Sequence, residues 1–332
     1  MNTDCSDFFT PVIIPTLCRF NHFKSCLESL SQCSGAESTE VFIGLDYPAK
    51  DSHWNGYILI KNYLESVKLN FKKLHIFKRE YNYGSIRNSN ELRDFVKNKY
   101  GKFIYSEDDN IFSPNFLIYM NTCLKQYKND PKIFAICGYT MPVNWKTNDN
   151  NHFATRFIRA WGFGSWSNKF SEYRSCCNGK WIYDFLFKKQ NTGNENFFQL
   201  ERNDYGIWRA AIKHLHMRCI HYGDMMMYAY LLGTNRYVIC PSISMVKNIG
   251  FDSTGEHYTN APEWLIDNPI STDTDFILNG NPYSFVEENE RRRRLFEKKI
   301  NRLTMENFRP RLSFLLKIAL KVFIRGSKYK NW

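Results

Sequence analysis

The sequence predicts an α/β domain with a mostly parallel β-sheet flanked by helices. Two observations predict this class: short apolar runs alternate with helical segments through the first 140 residues, and polar residues follow each apolar run. Strand–helix alternation of this kind is typical of a parallel sheet covered by helices. With 332 residues, 43% of them hydrophobic, the chain can bury a large core in one big domain or two smaller ones.

The elements of the first half follow one another in a regular order. Strands are predicted over residues 11–16, 40–48, 72–80 and 102–106, and helices over residues 19–33, 53–69, 86–100 and 113–127. Ser113 is the predicted N-cap of the fourth helix, with Pro114 at its first helical position.

Composition narrows the class of protein. Aromatic residues make up 17% of the chain, which argues against disorder and favours a globular protein, one with a sticky or sugar-handling surface. The ten cysteines form no C-x-x-C pair and no secretory leader is apparent, so we expect reduced thiols in a cytoplasmic protein. No run of eighteen apolar residues predicts a membrane span.

The residues that follow the strands are the candidate site, because ligands of such sheets bind beyond the carboxyl ends of the strands. These residues are Pro15, Thr16 and Arg19 after the first strand, Asp46 after the second, Asn82, Gly84 and Arg87 after the third, and Glu107, Asp108 and Asp109 after the fourth. The last three, here called the acidic triplet, would repel one another, and burial would strengthen the repulsion. We therefore expect an Arg, a Lys or a divalent cation beside them.

The motifs of ordinary nucleotide sites are missing from the sequence. No G-x-G-x-x-G follows the first strand, and the chain contains no G-x-x-x-x-G-K-[ST]. Ordinary dinucleotide and P-loop sites are therefore disfavoured.

Four segments in this order resemble the GT-A glycosyltransferases, which are nucleotide-sugar enzymes on one Rossmann-like sheet. They are PVIIPTLCRFNHFKSCLESL (11–30), YNYGSIRN (81–88), SEDDNIFSPNFLIYM (106–120) and GDMMMYAYLLGTNRYVICPSIS (223–244). The last two are similar to the Golgi N-acetylglucosaminyltransferase that begins complex N-glycans. WGFGSW (161–166) and NIGFDSTGEH (248–257) are similar to segments of bacterial capsule and O-antigen transferases. The resemblance covers about residues 9–260.

The resemblance implies a nucleotide-sugar donor, with UDP favoured, and a Mn²⁺ or Mg²⁺ ion on its diphosphate. It implies that Asp109 grips the metal directly, that His257 completes the metal site, and that Glu107 and Asp108 reach the metal through water or contact the ribose. The nucleotide contacts it implies come from Pro15, Thr16, Arg19, Asp46, Asn82, Gly84 and Arg87. Alternatively, Asp108 and Asp109 cap a loop, and Asp46 belongs to a plain turn.

The chemistry of transfer needs a base, and the resemblance implies that Asp224 takes the proton of the acceptor hydroxyl in an inverting reaction. Asp204 and Asp252 are the fallback candidates, and a helix cap is the structural alternative for Asp224. The resemblance also implies a sugar-binding loop, whose candidate residues are Trp161, Gly162, Phe163 and Trp166. Core packing is the alternative for its aromatic side chains.

The basic charge of the chain is concentrated in its last residues. Residues 291–332 carry fourteen Lys and Arg and two Glu, which equals the net charge of +12 of the whole chain. Lys317, Lys321 and Arg325 share one helical face beside a broad apolar surface, a pattern typical of a helix lying on an anionic membrane. The alternative is a helix packed on the main domain. No nucleic-acid module accompanies these residues, so nucleic acid is not an expected partner.

These expectations give one reading of the domain organisation. Residues 9–265 form the catalytic domain, with a nucleotide-sugar-binding half (9–140) and an acceptor half (141–265), followed by a linker (266–290) and a membrane-associating tail (291–332). The expected protein is a peripheral enzyme at the inner face of the cell membrane, acting on a lipid-linked glycan during capsule or lipopolysaccharide assembly. A metal-dependent nucleotidyltransferase or phosphoesterase and a non-catalytic membrane-binding protein are the alternatives.

Overall fold

The computed structural model describes residues 9–176, 223–252, 263–266 and 268–305. Its strands are β1 (Val12–Thr16), β2 (Glu40–Leu45), β3 (Lys73–Lys78), β4 (Lys102–Tyr105), β5 (Asn110–Phe112), β6 (Ile133–Cys137), β7 (His152–Thr155), β8 (Phe163–Trp166), β9 (Tyr237–Pro241) and β10 (Val246–Asn248). Its α-helices are α1 (Phe20–Ser31), α2 (Trp54–Ser66), α3 (Gly84–Tyr100), α4 (Phe116–Gln126), α5 (Ser167–Cys176), α6 (Gly223–Thr234), α7 (Glu263–Ile266) and α8 (Val286–Met305).

An eight-stranded sheet organises the described part of the chain, with the strand order β3-β2-β1-β4-β8-β6-β9-β7. The first four of these strands are parallel to one another. Strand β8 is antiparallel to both β4 and β6, and β7 is antiparallel to β9. The predicted α/β class with a mostly parallel, helix-covered sheet is confirmed.

The central strands are apolar because helices cover both faces of the sheet. Strand β1 is buried along almost its whole length. On one face, α1 buries Phe23, Cys26, Leu27 and Leu30, which follow the helical spacing of a single apolar stripe. On the other face, Leu92 and Val96 of α3 pack with residues of α5 and α6. The apolar clusters on the two faces hold the sheet in place. The polar residues lie at the edge formed by the carboxyl ends of the strands.

The start of α4 differs from its prediction. The helix begins at Phe116 with Asn115 in the N-cap position, and not at Pro114 after a Ser113 cap. The Ser113 N–H instead donates to the Met245 carbonyl (2.9 Å), and its hydroxyl donates to Asn115 Oδ1 (2.6 Å). Ser113 is therefore used to join β5 to the segment before β10, a long-range pairing that local capping preferences do not reveal.

The C-terminal helix α8 crosses the boundary predicted at residue 290, because it begins at Val286. Arg293 of α8, one of the basic residues assigned to the tail, is 1% exposed and is ion-paired with Glu290 (3.0 Å). Lys317, Lys321 and Arg325 lie outside the described residues. Within the described residues, no helix has the length and hydropathy needed to cross a bilayer.

Candidate active site

The carboxyl ends of β1, β2 and β4 lie side by side and place the predicted residues at one edge. The Asp46 N–H donates to the Thr16 carbonyl (2.9 Å), which continues the β1–β2 pairing past the strand ends. Asp46 is buried, and its Oδ1 accepts the N–H groups of Tyr47 (2.9 Å) and Tyr83 (2.8 Å). This carboxylate therefore fixes the turn that leads into α3, which matches the turn interpretation, while its Oδ2 lies 3.5 Å from the Asn82 amide nitrogen.

Arg19 is the positive group beside the acidic triplet. Its Nη2 atom donates to Asp108 Oδ1 (2.5 Å) and to Asp109 Oδ2 (2.7 Å). The Thr16 hydroxyl donates to the other oxygen of Asp108 (2.8 Å). Arg19 comes directly before α1, so the helix that covers β1 aims this guanidinium at the carboxylates leaving β4. The sequence-based expectation of a cation at this place is met by a residue of the same chain.

The second oxygen of Asp109 is held by the β5–β10 ribbon. Asn248, the last residue of β10, donates its side-chain amide to Asp109 Oδ1 (2.6 Å). The Ile249 N–H donates to the Asp109 carbonyl (2.8 Å). A Cβ atom on Gly250 would lie 2.0 Å from Asp109 Oδ2, so only glycine allows the backbone to approach this closely.

The charges of the triplet exceed what Arg19 neutralises. Burial raises the pKa of the Asp108 carboxyl in spite of the nearby Arg19 guanidinium. Burial, followed by the charges of Asp109, Asp224 and Asp108, raises the pKa of Glu107 well above its ordinary value. Among the residues that the structure describes, none donates a hydrogen bond to the Glu107 carboxylate. Ionisation of all three carboxyls at once is therefore unfavourable, with Arg19 as the only positive group bonded to them within the described ranges.

Asp224 lies in the first turn of α6 and reaches the same edge. Its Oδ1 accepts the Ala160 N–H (3.1 Å), and its Oδ2 lies 3.7 Å from the Arg159 guanidinium. Burial raises the pKa of this carboxyl, while Arg159 and the Ala160 N–H oppose the rise. The antiparallel pairing of β8 with β4 brings the segment before β8 next to the residues that follow β4. Asp224 and Glu107 are thereby close enough to repel one another.

Trp161 is the only partly exposed aromatic side chain of the predicted sugar-binding loop. The Tyr139 ring stands edge-on to it with centroids 4.7 Å apart, and the Phe251 ring stands edge-on at 5.7 Å. Gly162 has φ 67°, and a Cβ atom there would meet Val246 Cγ2 at 2.8 Å. Trp161 is therefore held by two neighbouring rings and stays partly exposed, next in sequence to Ala160, whose N–H donates to Asp224.

The prediction that Phe163 and Trp166 bind sugar is wrong, because both belong to β8 in the core. Phe163 is 1% exposed and packs against Phe103, and Trp166 is 3% exposed and donates its Nε1–H to the Leu124 carbonyl. Strand β8 lies inside the sheet between β4 and β6, so helices cover both of its faces. These two side chains supply core volume at opposite ends of the strand.

The residues that follow β3 lie at the outer end of the candidate site, because β3 is the outermost strand of the sheet. Asn82 is exposed and donates to the Tyr47 carbonyl (2.6 Å). Gly84 begins α3 with φ 73° and faces open space. Arg87 is exposed, pairs with Glu91 (2.7 Å) and stacks on the Tyr83 ring at 4.0 Å.

Four further residues were named from the sequence: Pro15, His257, Asp204 and Asp252. Pro15 is a partly buried residue of β1, and its backbone nitrogen carries no N–H group to donate. His257 and the fallback base Asp204 lie outside the described residues. Asp252, the other fallback, pairs with His22 at 3.1 Å.

The acidic triplet has the donor chemistry of a magnesium or manganese site. Carboxylate and hydroxyl oxygens are the ligands these ions prefer, and each oxygen of Asp108 and Asp109 keeps a second lone pair beyond its hydrogen bond. In the described part of the chain, no three His, Cys, Asp or Glu side chains surround a common point as a metal site would need. Mg²⁺ is commonly held by one or two carboxylates plus substrate phosphates. The triplet fits an ion that arrives with a phosphate ligand.

Sequence reasoning missed the residues that complete the site from later segments. Arg159, Asn248, Gly250 and Phe251 are among them. The segment NIGFDSTGEH (248–257) carried a signal, because it resembled a family segment, but only its Asp252 and His257 received roles. The pairing of β10 with β5, which brings Asn248 to Asp109, is a long-range contact that no local pattern encodes.

Comparison with known proteins gives structural likenesses only. No family model matches the sequence, and no curated protein matches it. A crystal structure of TarS residues 1–349 from S. aureus is similar at 12% identity and a TM-score of 0.40, over 72% of this chain and 60% of that one. The same TarS segment in complex with UDP-GlcNAc is similar at 13% identity and a TM-score of 0.43, over 77% of this chain and 62% of that one. The longer TarS structure is similar at 10% identity and a TM-score of 0.37, over 74% of this chain and 37% of that one. Each of the three matches therefore spans less than two thirds of the TarS chain.

Proposed function

We propose that this protein is a glycosyltransferase that moves a sugar from a nucleotide sugar, with a UDP-sugar favoured, to an acceptor hydroxyl. One observation carries the proposal: Asp224 and the acidic triplet meet at one sheet edge with Thr16, Arg19 and Asp46. An acidic cluster, a cationic side chain and a separate carboxylate in one site are what transfer from a diphosphate donor needs.

The donor half of the site would bind the nucleoside diphosphate. We propose that Asp109, together with His257, holds a Mn²⁺ or Mg²⁺ ion whose charge stabilises the negative diphosphate that leaves. Arg19, whose guanidinium lies at the acidic triplet, would supply a second positive charge to the diphosphate. Asp46 and Asn82 would border the nucleoside, at the rim formed by the ends of β2 and β3.

The acceptor half would carry out proton transfer. The acceptor oxygen forms a bond to the anomeric carbon, the bond from that carbon to the diphosphate breaks, and the hydroxyl proton passes to Asp224. Attack from the face opposite the leaving group inverts the anomeric centre. The raised pKa of Asp224 suits this role, because a carboxylate that holds a proton more strongly is a better base.

The proposed acceptor is a lipid-linked glycan at the inner membrane face. Trp161 makes edge-to-face contacts with Tyr139 and Phe251. We propose that an acceptor sugar stacks its C–H surface on the Trp161 ring, near Asp224. The sequence adds the amphipathic, basic segment around Lys317, Lys321 and Arg325, which would hold the enzyme at an anionic surface where cell-surface glycans are assembled.

The test is the thermal unfolding midpoint with UDP, GDP, dTDP or CMP, each with Mn²⁺ and again with EDTA. A ligand that binds only the folded protein raises the midpoint by mass action. We expect UDP to raise it in the presence of Mn²⁺ only, and Asp109→Ala to abolish the rise. Asp94→Ala is the matched control, because it removes an exposed carboxylate that pairs with Lys97 on α3. A midpoint unmoved by all four nucleotides would refute the proposal.

A further inference from the structure

A single nitrogen atom occupies the place between the two aspartates of the acidic triplet. Arg19 Nη2 lies 2.5 Å from Asp108 Oδ1 and 2.7 Å from Asp109 Oδ2, so it bridges the two carboxylates. Thr16 and Asn248 donate to the two remaining oxygens. Every carboxylate oxygen of this pair thus has a donor from the protein itself.

The bridge is partly enclosed. The side chains of Arg19, Asp108 and Asp109 are 22%, 11% and 9% exposed. A Cβ atom on Gly250 would come within 2.9 Å of Arg19 Nη1, so this backbone closes one side of the ion pair. Two positive charges a few ångströms apart in such a place repel strongly, because little water screens them. A divalent cation and the Arg19 guanidinium therefore compete for the same two carboxylates.

We infer that Arg19 holds the cation position while no donor is bound and leaves it when a nucleoside diphosphate enters. This inference rests on the proposed function. The diphosphate would offer the guanidinium new acceptor oxygens, and Asp108 and Asp109, once released by Arg19, would hold the metal together with the phosphate oxygens. Cation and nucleotide consequently bind together, and each strengthens the binding of the other by the same factor.

The exchange has a functional consequence for this chain. A site that held Mn²⁺ permanently would bind any phosphate compound that offers the ion a ligand. With Arg19 on the carboxylates, a ligand must both displace the guanidinium and supply the metal with oxygens. A diphosphate serves both cations better than a monophosphate, because its two adjacent phosphate groups offer more oxygens and more negative charge.

The test is a titration of the full chain with Mn²⁺ in the absence of nucleotide, with free Mn²⁺ followed by electron paramagnetic resonance. We expect Arg19→Gln to bind Mn²⁺ at least tenfold more tightly than the wild type. Arg159→Gln is the matched control, because it removes an equal charge near Asp224 but has no bond to Asp108 or Asp109. Addition of Asp109→Ala to Arg19→Gln should abolish the gain and so locate the ion.

Three results would overturn the inference. They are an Arg19→Gln protein that binds Mn²⁺ no more tightly than the wild type, an equal gain in Arg159→Gln, and no measurable Mn²⁺ binding by any of the folded proteins. Circular dichroism of each variant verifies that it folds.

Repeating the titration with saturating UDP separates this inference from the proposed function. We expect UDP to tighten Mn²⁺ binding strongly in the wild type and much less in Arg19→Gln, because no guanidinium remains to be displaced. If UDP had no effect on any protein while Arg19→Gln still bound Mn²⁺ more tightly, the competition would stand and the nucleotide-sugar function would fall. If UDP coupled equally to Mn²⁺ in both proteins, the function would stand and the role of Arg19 would fall.

Discussion

Asp224 is the residue on which the proposed chemistry depends, and its surroundings make a clear prediction. Asp224→Asn keeps the size of the side chain and its contact with the Ala160 N–H, but it cannot accept a proton. We expect transfer to fall by about 10²–10⁴-fold, the usual contribution of a general base, with nucleotide binding unchanged. Steady-state rates and UDP binding measure the two effects. The matched control is Asp252→Asn, and a larger loss there would assign the base to Asp252.

The pH profile tests the same residue. Because burial raises the pKa of Asp224, the rate should fall on acidification at a pH above the ordinary aspartate range. Arg159 lowers this pKa, so Arg159→Gln should raise it further and move the acidic limb of the profile to higher pH. A limb that stays in place in Arg159→Gln would show that another group titrates.

Glu107 shows how the site lowers the stability of the fold. Its pKa is raised in the folded protein, first by burial and then by neighbouring carboxylates, so its ionisation weakens folding as the pH rises. Glu107→Gln should therefore raise the unfolding midpoint near pH 7.5 by about 2 °C, with the gain disappearing at low pH, where Glu107 is protonated. Glu65→Gln should give no gain, because Lys78 lowers the pKa of that carboxyl. A fall in the midpoint of Glu107→Gln would contradict this account of the triplet.

At the scale of single residues, the sequence predicted the composition of the site better than its contacts. Three adjacent carboxylates at a strand end required a positive neighbour, and the chain supplies Arg19. Arg19 had been assigned to the nucleotide, since nothing in a linear pattern shows which side chain it faces before a ligand enters. Phe163 and Trp166 were misassigned because aromatic residues between glycines fit a binding loop as well as a short buried strand.

At the scale of elements, alternation of strands and helices predicted β1 to β4 to within a few residues, because each of these strands is a local apolar run between helical segments. It did not predict that β8 enters the sheet between β4 and β6. A four-residue strand has little pattern of its own, and its partners lie far away in sequence. Arg159, which precedes β8, and Asn248 of β10 were missed for this reason.

Helix α8 is attached to the sheet by a buried ion pair, which makes it part of the folded domain. Glu290 accepts hydrogen bonds from the Thr155 hydroxyl (2.7 Å) and the Arg156 N–H (2.8 Å), and Arg293 donates to the Tyr228 hydroxyl of α6 (2.6 Å). Glu290→Ala leaves the Arg293 charge buried with less compensation. We expect a loss of about 3–5 kcal/mol in the free energy of unfolding, measured in urea.

The control for this prediction is Arg291→Ala on the same helix, whose side chain is 60% exposed and should contribute almost nothing. Equal effects of Arg291→Ala and Glu290→Ala would mean that α8 is not held by the buried pair.

At the scale of the whole molecule, the net charge of +12 equals the net charge of the last 42 residues, and part of that charge is neutralised within α8. Arg291 and Arg292 pair with Glu288, and Arg293 pairs with Glu290 and Glu297. We therefore expect membrane attraction to depend on the residues after α8.

We expect the full chain to sediment with vesicles containing anionic lipid and to stay in solution with neutral vesicles. The triple variant Lys317→Gln, Lys321→Gln and Arg325→Gln should weaken this binding strongly, because each basic residue near the surface contributes about 1 kcal/mol. The control is a triple change to Gln at Lys73, Lys78 and Lys125, which alters the net charge equally. Equal weakening by the two variants would mean that net charge, and not the amphipathic segment, drives the binding.

The central claim is that the bond between the sugar and the diphosphate breaks at this site. The most direct measurement is ³¹P nuclear magnetic resonance of the products formed from UDP-sugars with the full chain, Mg²⁺ and a lipid-linked glycan as the acceptor. The account predicts that UDP accumulates with the wild type for at least one UDP-sugar, and that it does not with Asp109→Ala. Release of UMP and a sugar 1-phosphate would show that a phosphorus–oxygen bond breaks instead, as in a nucleotidyltransferase or phosphoesterase, and would contradict the account.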